Sequence, residues 1–244
     1  MRLHFHIHSA GAWSPLYQCL SDWQTWPTPP ADAEQRAQAA PALKQVPAMQ
    51  RRRFSKLTKM LLDVAFQCDA PAQCRTIFAS RHGELNRTVD LLQDIVRQQP
   101  ISPIGFSQSV HNTASGIFSI LTDNRAPSTS IAAGEATLTQ ALVEAYGQLA
   151  EDNSPLLLVF GDEPVSDIYK EFTQEPELPL AIALQLSLCQ DQVSGTQLII
   201  ETKPDATELA AAQPLSFGQV IHAIAAQQPL EGRLNQYLVR ICHD

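Results

Sequence analysis

Short apolar or alternating runs and longer runs of helical period follow one another along this chain, and that succession limits the fold more than any other feature. "LHFHIH" at residues 3–8 alternates Leu3, Phe5 and Ile7 with His4, His6 and His8, the period of a strand. "RRRFSKLTKMLLDVAFQC" sets Phe54, Leu57, Leu61 and Val64 at helical spacing. "RTIFASRHGE" reads as a strand entering a loop, and "LNRTVDLLQDIVRQ" as an amphipathic helix stopped by Pro100. A helix over residues 109–121 precedes a small-residue strand at 128–133, which turns sharply at Gly134 into another helix. "PLLLVFGDEP" reads as a buried strand, and "LAIALQLSLC" and "TQLIIETKP" as two more, joined by the turn-rich "QDQVSG". Residues 22–48, with Trp23, Trp26 and five prolines, read as an irregular surface segment with room for one helical turn. The last thirty residues read as helical, in "FGQVIHAIAAQ" and "RLNQYLVRICHD". Strands alternating with helices predict an α/β layered fold around a mostly parallel sheet.

Composition narrows the class. A chain of 244 residues buries a substantial core in one large domain or two small ones, and 44% hydrophobic with 17% charged residues is globular composition. A net charge of −8 argues against a nucleic-acid binder. The five cysteines form no CxxC pair or Cys/His cluster, so neither a zinc site nor a disulfide framework is indicated. "MRLHFHIHSAG" lacks the apolar core of a signal peptide, and no apolar run approaches the roughly 18 residues of a membrane helix. A cytoplasmic protein is expected, with no membrane span and no cofactor.

Several constellations carry chemistry, each with a plainer reading beside it. His4, His6 and His8 share a strand face and resemble zinc ligands, but nothing marks a further ligand; polar positions on a strand explain them too, and no metal is expected. Lys44, Arg51, Arg52, Arg53, Lys56 and Lys59 form a basic island, with no acid between Gln35 and Leu62. It suits an acidic or phosphorylated partner, or is one solvated helix face. His111, Ser115 and Ser119, four apart, mimic a nucleophile–base pair without a third orienting group. Glu135 follows Gly134 where a strand–turn–helix elbow seats a nucleophile in acyl-handling enzymes. It is also an ordinary first-turn residue, favoured by the helix dipole.

The block "ISPIGFSQSVHNTASGIFSILTDNRAPSTSIAAGEATLTQALVEA", residues 101–145, resembles the β-ketoacyl synthases of the thiolase superfamily. Asn112 and Gly116 match an Asn-x-x-x-Gly helix pattern, and Arg125-Ala126-Pro127-Ser128 matches the family's Arg-Gly-Pro-Ser turn with Ala for Gly. Ser130-Ile131-Ala132-Ala133-Gly134 matches the strand before the catalytic Cys, and Glu135 stands in the place of that Cys. Looser matching extends over about residues 1–170, through "SRHGELNRTVDLLQDIVRQQPISP" and "HFHIHSAGAWSP". The family's Asn-Ala-His-Gly-Thr and Gly-His motifs are absent, so the resemblance implies that this chain alone does not condense acyl units.

Such a chain resembles a chain-length factor, the degenerate partner of an active ketosynthase, in the short form found in aryl-polyene gene clusters. The resemblance implies a truncated thiolase-like α/β fold, with a mixed five-stranded sheet and helices on both faces. One domain would span residues 1–244, with a divergent part at 176–244 capping the missing second half. It implies no catalytic residue here, and as partners an active β-ketoacyl synthase subunit, in a heterodimer, and an acyl carrier protein. Subunits of this fold pair through the strand before the nucleophile, which assigns Asn112, Thr113, Gly116, Ser128, Ser130 and Ile131 to the interface. Leu85, Thr88 and Leu92, on one helix face, would floor the tunnel of the growing chain, or are core residues. Arg51, Arg52, Arg53, Lys56 and Lys59 would dock the carrier protein or the partner. The implied function is a non-catalytic subunit that stabilises the ketosynthase and limits product length in polyketide-type elongation. A weak malonyl decarboxylase or acyltransferase using Glu135, and a homodimeric scaffold, remain as alternatives.

Overall fold

The computed structural model describes residues 1–173, 177, 179–189 and 194–243. The expected boundary at residue 176 and most of the expected turn "QDQVSG" lie outside the described residues. The first strand, β1 (Arg2–Trp13), runs well past "LHFHIH", because a register shift against its neighbour between Ile7 and Ser9 resets the pleat. Leu3, Phe5 and Ile7, then Ala10 and Ala12, therefore face the same core. After a 3-10 turn at Leu20–Thr25 come two short helices, α1 (Ala33–Arg36) and α2 (Ala48–Arg51). The confident helix of the sequence is α3 (Lys56–Gln67), started by Ser55, whose side chain accepts the N–H of Thr58. It follows that Arg51, Arg52 and Arg53 precede this helix instead of lying on it.

Strand β2 (Arg75–Ala79) leads to α4 (Leu85–Val96), a short helix α5 (Pro103–Ser107) that the pattern does not announce, and α6 (Thr113–Thr122). Next are β3 (Ser128–Ile131), α7 (Thr137–Glu151) and β4 (Leu156–Asp162). Strands β5 (Leu180–Leu188) and β6 (Thr196–Glu201), helices α8 (Ala206–Ala211) and α9 (Phe217–Ala226), and a hairpin of β7 (Leu230–Leu234) and β8 (Tyr237–His243) complete the chain. No helix of the described residues is long and apolar enough to cross a membrane.

All of these strands form one sheet in the order β3-β2-β4-β5-β1-β6-β8-β7. Two expectations are corrected here. Among the described residues the sheet has eight strands instead of five. It is mixed but not mostly parallel, since only β2 with β3 and β2 with β4 pair in parallel, while every other pairing is antiparallel. The direction differs because β5 returns antiparallel beside β4 and β1, and β6 antiparallel beside β1, whereas the strand count differs at the C-terminus. "RLNQYLVRICHD" is not a helix: Tyr237, Val239 and Ile241 alternate inward along β8, and Asn235, with φ of 52°, makes the two-residue hairpin turn.

Helices cover both faces, as expected. Helices α7 and α9 and the 3-10 turn lie over Leu156, Leu158 and Phe160 of β4 and Ile182 and Leu184 of β5. On the other face, α3 and α6 pack on Leu157, Val159, Ala181 and Ala183. Burial on both sides explains why "LLLVF" reads as a continuous apolar run. Helix α3 crosses β1 so closely that a Cβ at Gly11 would lie 2.4 Å from the Val64 carbonyl oxygen. Gln67 fixes that crossing by accepting the N–H of Ala12 at 3.0 Å and donating to the Gln18 carbonyl at 3.2 Å.

Candidate functional site

The three parallel strands end together, with Ala79 beside Ile131 on one side and Phe160 on the other. Strand β5 begins and β1 ends at the same rim, where Leu180 pairs with Asp162 and Trp13 with Ala181. Loops at the carboxyl ends of parallel strands are where sheets of this kind gather chemistry.

The elbow stands on this rim. Gly134 has φ of 58°, a left-handed conformation that a Cβ disfavours, and nothing of this chain lies within 4 Å of where that Cβ would be. Its glycine is therefore required by the turn and not by packing. Buried Thr137 holds the turn, accepting the N–H of Ala133 at 3.0 Å and donating to the Gly134 carbonyl at 2.6 Å. Glu135 follows in a 3-10 turn, exposed, and its carboxylate makes no hydrogen bond or ion pair with the described residues. The geometry presents this carboxylate at the surface of the chain.

Beside the elbow, the loop that leaves β2 folds around a carboxylate. Asp162 accepts the Ser80 hydroxyl at 2.7 Å and the backbone N–H of Arg81 at 2.9 Å, and burial raises its pKa against the lowering effect of these bonds. Glu84, 4% exposed, accepts hydroxyl protons from Ser55 at 2.7 Å and Thr58 at 2.6 Å, tying α3 to the start of α4. His111 donates to the Ser80 carbonyl, with 2.8 Å between the atoms, and a side chain at Gly83 would meet its ring at 2.7 Å. Sequence reasoning missed Asp162 and Glu84, because nothing local in the chain shows which carboxylates will be buried.

The His/Ser constellation is not assembled. Ser115 and Ser119 donate to the carbonyls of Asn112 and Gly116 in their own helix, each at 2.9 Å, while His111 turns to Ser80. The strand histidines are likewise engaged separately: His4 with Gln197 and His8 with Ser187, each at 2.8 Å. Burial, then the neighbouring His6, lowers the pKa of His8. Among the described residues no group of three or more His, Cys, Asp or Glu side chains is arranged to hold a metal ion.

The residues assigned to an interface gather at one side. Strand β3 is the outer strand of the sheet. Pro127 and Ile131 turn their carbonyls to Thr76 and Ser80 of the β2 side, so Ser128 and Ser130, one residue out of phase, turn theirs outward. Asn112 and Gly116 are exposed on α6, and space lies open where a Cβ of Gly116 would project, whereas Thr113 is buried. Ile120, on the same helix, is 81% exposed, and Leu92, Val96, Phe106 and Val110 add exposed apolar surface from α4, α5 and the loop after α5. The opposite edge is treated differently. Residues 213–215 lie along β7, with Arg233 donating to the Gln213 carbonyl at 2.8 Å and Leu215 to the Arg233 carbonyl at 2.9 Å.

The expected tunnel residues lie on α4, where Val89 alone is buried. Leu85 and Thr88 are half-buried and Leu92 is 51% exposed, so Leu92 is not a core leucine of this chain. The basic island divides. Arg51 donates to the carbonyls of Ala42 and Leu43, holding the preceding loop. Arg52, Arg53 and Lys56 line a groove of about 450 Å³ together with Arg87, while Lys59 stands outside its walls on α3. A second cavity, of about 670 Å³, is walled by Tyr17, Trp23, Trp26 and Leu180; the Glu177 carboxylate there accepts the N–H of Phe217 and Gly218 at the start of α9.

Comparison with known proteins agrees with the fold. A family model described as the N-terminal domain of β-ketoacyl synthases matches residues 23–236. No curated protein matches the chain. Among solved structures, a chain of the complex of the ketosynthase ApeO with its chain length factor ApeC, from Xenorhabdus doucetiae, superposes with a TM-score of 0.76 at 22% identity. That match covers 99% of this chain and 100% of the other. A β-ketoacyl synthase from Burkholderia phymatum STM815 gives a TM-score of 0.52 at 13% identity, over 93% of this chain and 71% of that one.

Proposed function

This chain belongs to the β-ketoacyl synthase family, and from that membership we propose that it is the non-catalytic, chain-length-factor subunit of a heterodimeric β-ketoacyl synthase. The observation that carries the reading is the elbow. Gly134 makes the sharp turn and Glu135 is exposed just after it; in this reading Glu135 stands where the family's nucleophile would be. A carboxylate cannot carry an acyl group as a thioester, so condensation falls to a partner that supplies the thiol.

The partner is an active ketosynthase, which adds a strand at β3 and covers Gly116, Ile120 and the apolar surface of α4 and α5. The open β3 edge, set against the protected β7 edge, supports this docking. Within the complex Leu85, Thr88 and Leu92 face the growing chain and limit its length, in aryl-polyene or related polyketide-type synthesis on an acyl carrier protein. Arg52, Arg53 and Lys56 are candidates for meeting that carrier. In this reading one domain spans residues 1–244, with 176–244 capping the missing second half; β5 to β8 join the same sheet as the earlier strands.

Co-expression with a ketosynthase encoded in the same gene cluster, followed by purification through one tag, tests the reading. A stoichiometric complex is expected, and a chain that purifies alone as a stable homodimer counts for the scaffold alternative. Glu135→Gln separates the remaining one: a scaffolding subunit keeps full turnover, whereas an acid–base role loses it.

A further inference from the structure

The groove of about 450 Å³ brings together groups distant in the sequence. Arg52, Arg53, Ser55 and Lys56 come from the start of α3 and the turn before it, Asn86, Arg87 and Asp90 from α4, Gly105 from α5, and Glu163 from the end of β4. Arg87 is fixed in place, donating to the Arg53 carbonyl at 3.0 Å, with its Nε 3.5 Å from the Glu84 carboxylate. Its Nε is buried without a hydrogen-bond partner, and so is Oδ1 of Asn86, while the amide nitrogen of Asn86 donates to the Pro164 carbonyl. The side chains of Arg52, Arg53 and Lys56 make no hydrogen bond or ion pair with the described residues.

The charges are unequal. Arg87 is balanced by buried Glu84, which leaves three cations facing Asp90 and Glu163. Burial raises the pKa of Glu163, against the lowering effects of its hydrogen bond with Asn86 and the charge of Lys56 and with a further rise from Glu84 and Asp162, so its opposition weakens as pH falls. On a chain of net charge −8 this is a local positive site with guanidinium forks and an ammonium. Guanidinium forks match the oxygens of a phosphate in pairs, and a small surplus of positive charge suits a phosphate of one or two charges better than a polyanion.

We propose that the groove between α3, α4 and the end of β4 is a phosphate-binding site, filled by a phosphate group that is either free or linked to a protein. The carrier-protein reading above bears only on which of these two sources fills it.

The test uses the full chain in complex with its ketosynthase. Inorganic phosphate is titrated by calorimetry at fixed ionic strength, and then carrier protein with and without its phosphate-linked arm. Saturable phosphate binding is expected, weakened at least tenfold in the Arg53→Gln/Lys56→Gln variant but unchanged in Lys203→Gln, which lies outside the groove. A preference for the carrier bearing its arm, lost in the same double variant, assigns the phosphate to the carrier. Equal binding of both carrier forms beside saturable phosphate binding assigns the site to free phosphate. Equal phosphate affinity in the double variant and the parent, or no saturable binding by the parent, overturns the proposal. Co-purification with the ketosynthase is scored separately, so its loss in the parent protein counts against the chain-length-factor reading and not against the groove.

Discussion

The Asp162 carboxylate, buried at the end of β4, accepts the Ser80 hydroxyl at 2.7 Å and so ties the loop that leaves β2 to the neighbouring strand. The same carboxylate takes the N–H of Arg81, and the Ser80 hydroxyl oxygen takes that of Gly83. Asp162→Ala removes the acceptor of the buried Ser80 hydroxyl and one acceptor of the Arg81 N–H, and is expected to destabilise the chain by about 3 kcal/mol. Urea unfolding measures it, and a loss below about 1 kcal/mol counts against this account.

Acid titration reads the neighbouring Glu163. Its pKa is raised in the fold, chiefly by burial, so the folded state holds this proton more tightly than the unfolded chain. The stability it contributes is present below the ordinary carboxylate range and is lost as pH rises through the raised value. Glu163→Gln is therefore expected to unfold at higher urea than the parent near neutral pH, with the difference vanishing in acid. A constant difference across pH contradicts this.

Strand addition predicts opposite results for two adjacent residues of β3. The backbone of Ser130 points out of the sheet, and that of Thr129 points toward β2. Proline removes the N–H donor. Ser130→Pro is expected to abolish co-purification with the ketosynthase while the chain stays folded by circular dichroism. Thr129→Pro should damage the chain itself. Retention of the complex by Ser130→Pro rules out pairing through this edge.

Gly116 tests the helix beside that strand. Glycine within a helix costs about 1 kcal/mol relative to alanine, and no packing within this chain demands it. Gly116→Leu should raise the thermal midpoint of the isolated chain yet weaken the complex at least tenfold. Unaltered association would remove α6 from the interface.

Leu92, half-exposed on α4, carries the product-length prediction. Leu92→Ala is expected to lengthen the acyl product of the complex, read by mass spectrometry, with little change in the stability of the chain. An unchanged product spectrum from an intact complex removes Leu92 from the tunnel.

Much of the fold is legible in local pattern. The alternation in "LHFHIH", the helical spacing from Leu57 to Val64 and the Gly134 turn each depend on near neighbours, and each forms where expected. The hairpin of β7 and β8 was equally legible in the alternation of Tyr237, Val239 and Ile241, and reading it as a helix lost the far side of the sheet. Helix α5 was less so, since five residues give no period to detect. At the candidate site, Glu135 directly after the Gly134 turn is visible in the sequence alone. The partners of Asp162, the division of the basic island and the place of Arg87 beside Arg53 are not.

The sequence by itself determined the family and the glycine turn before Glu135, because these lie in contiguous residues whose chemistry does not depend on what packs against them. Tertiary structure decided which strand is left at an open edge, which carboxylates are buried and which cations share a groove. Those depend on strand order and helix crossings, where residues more than a hundred positions apart are brought together by burial of the same core.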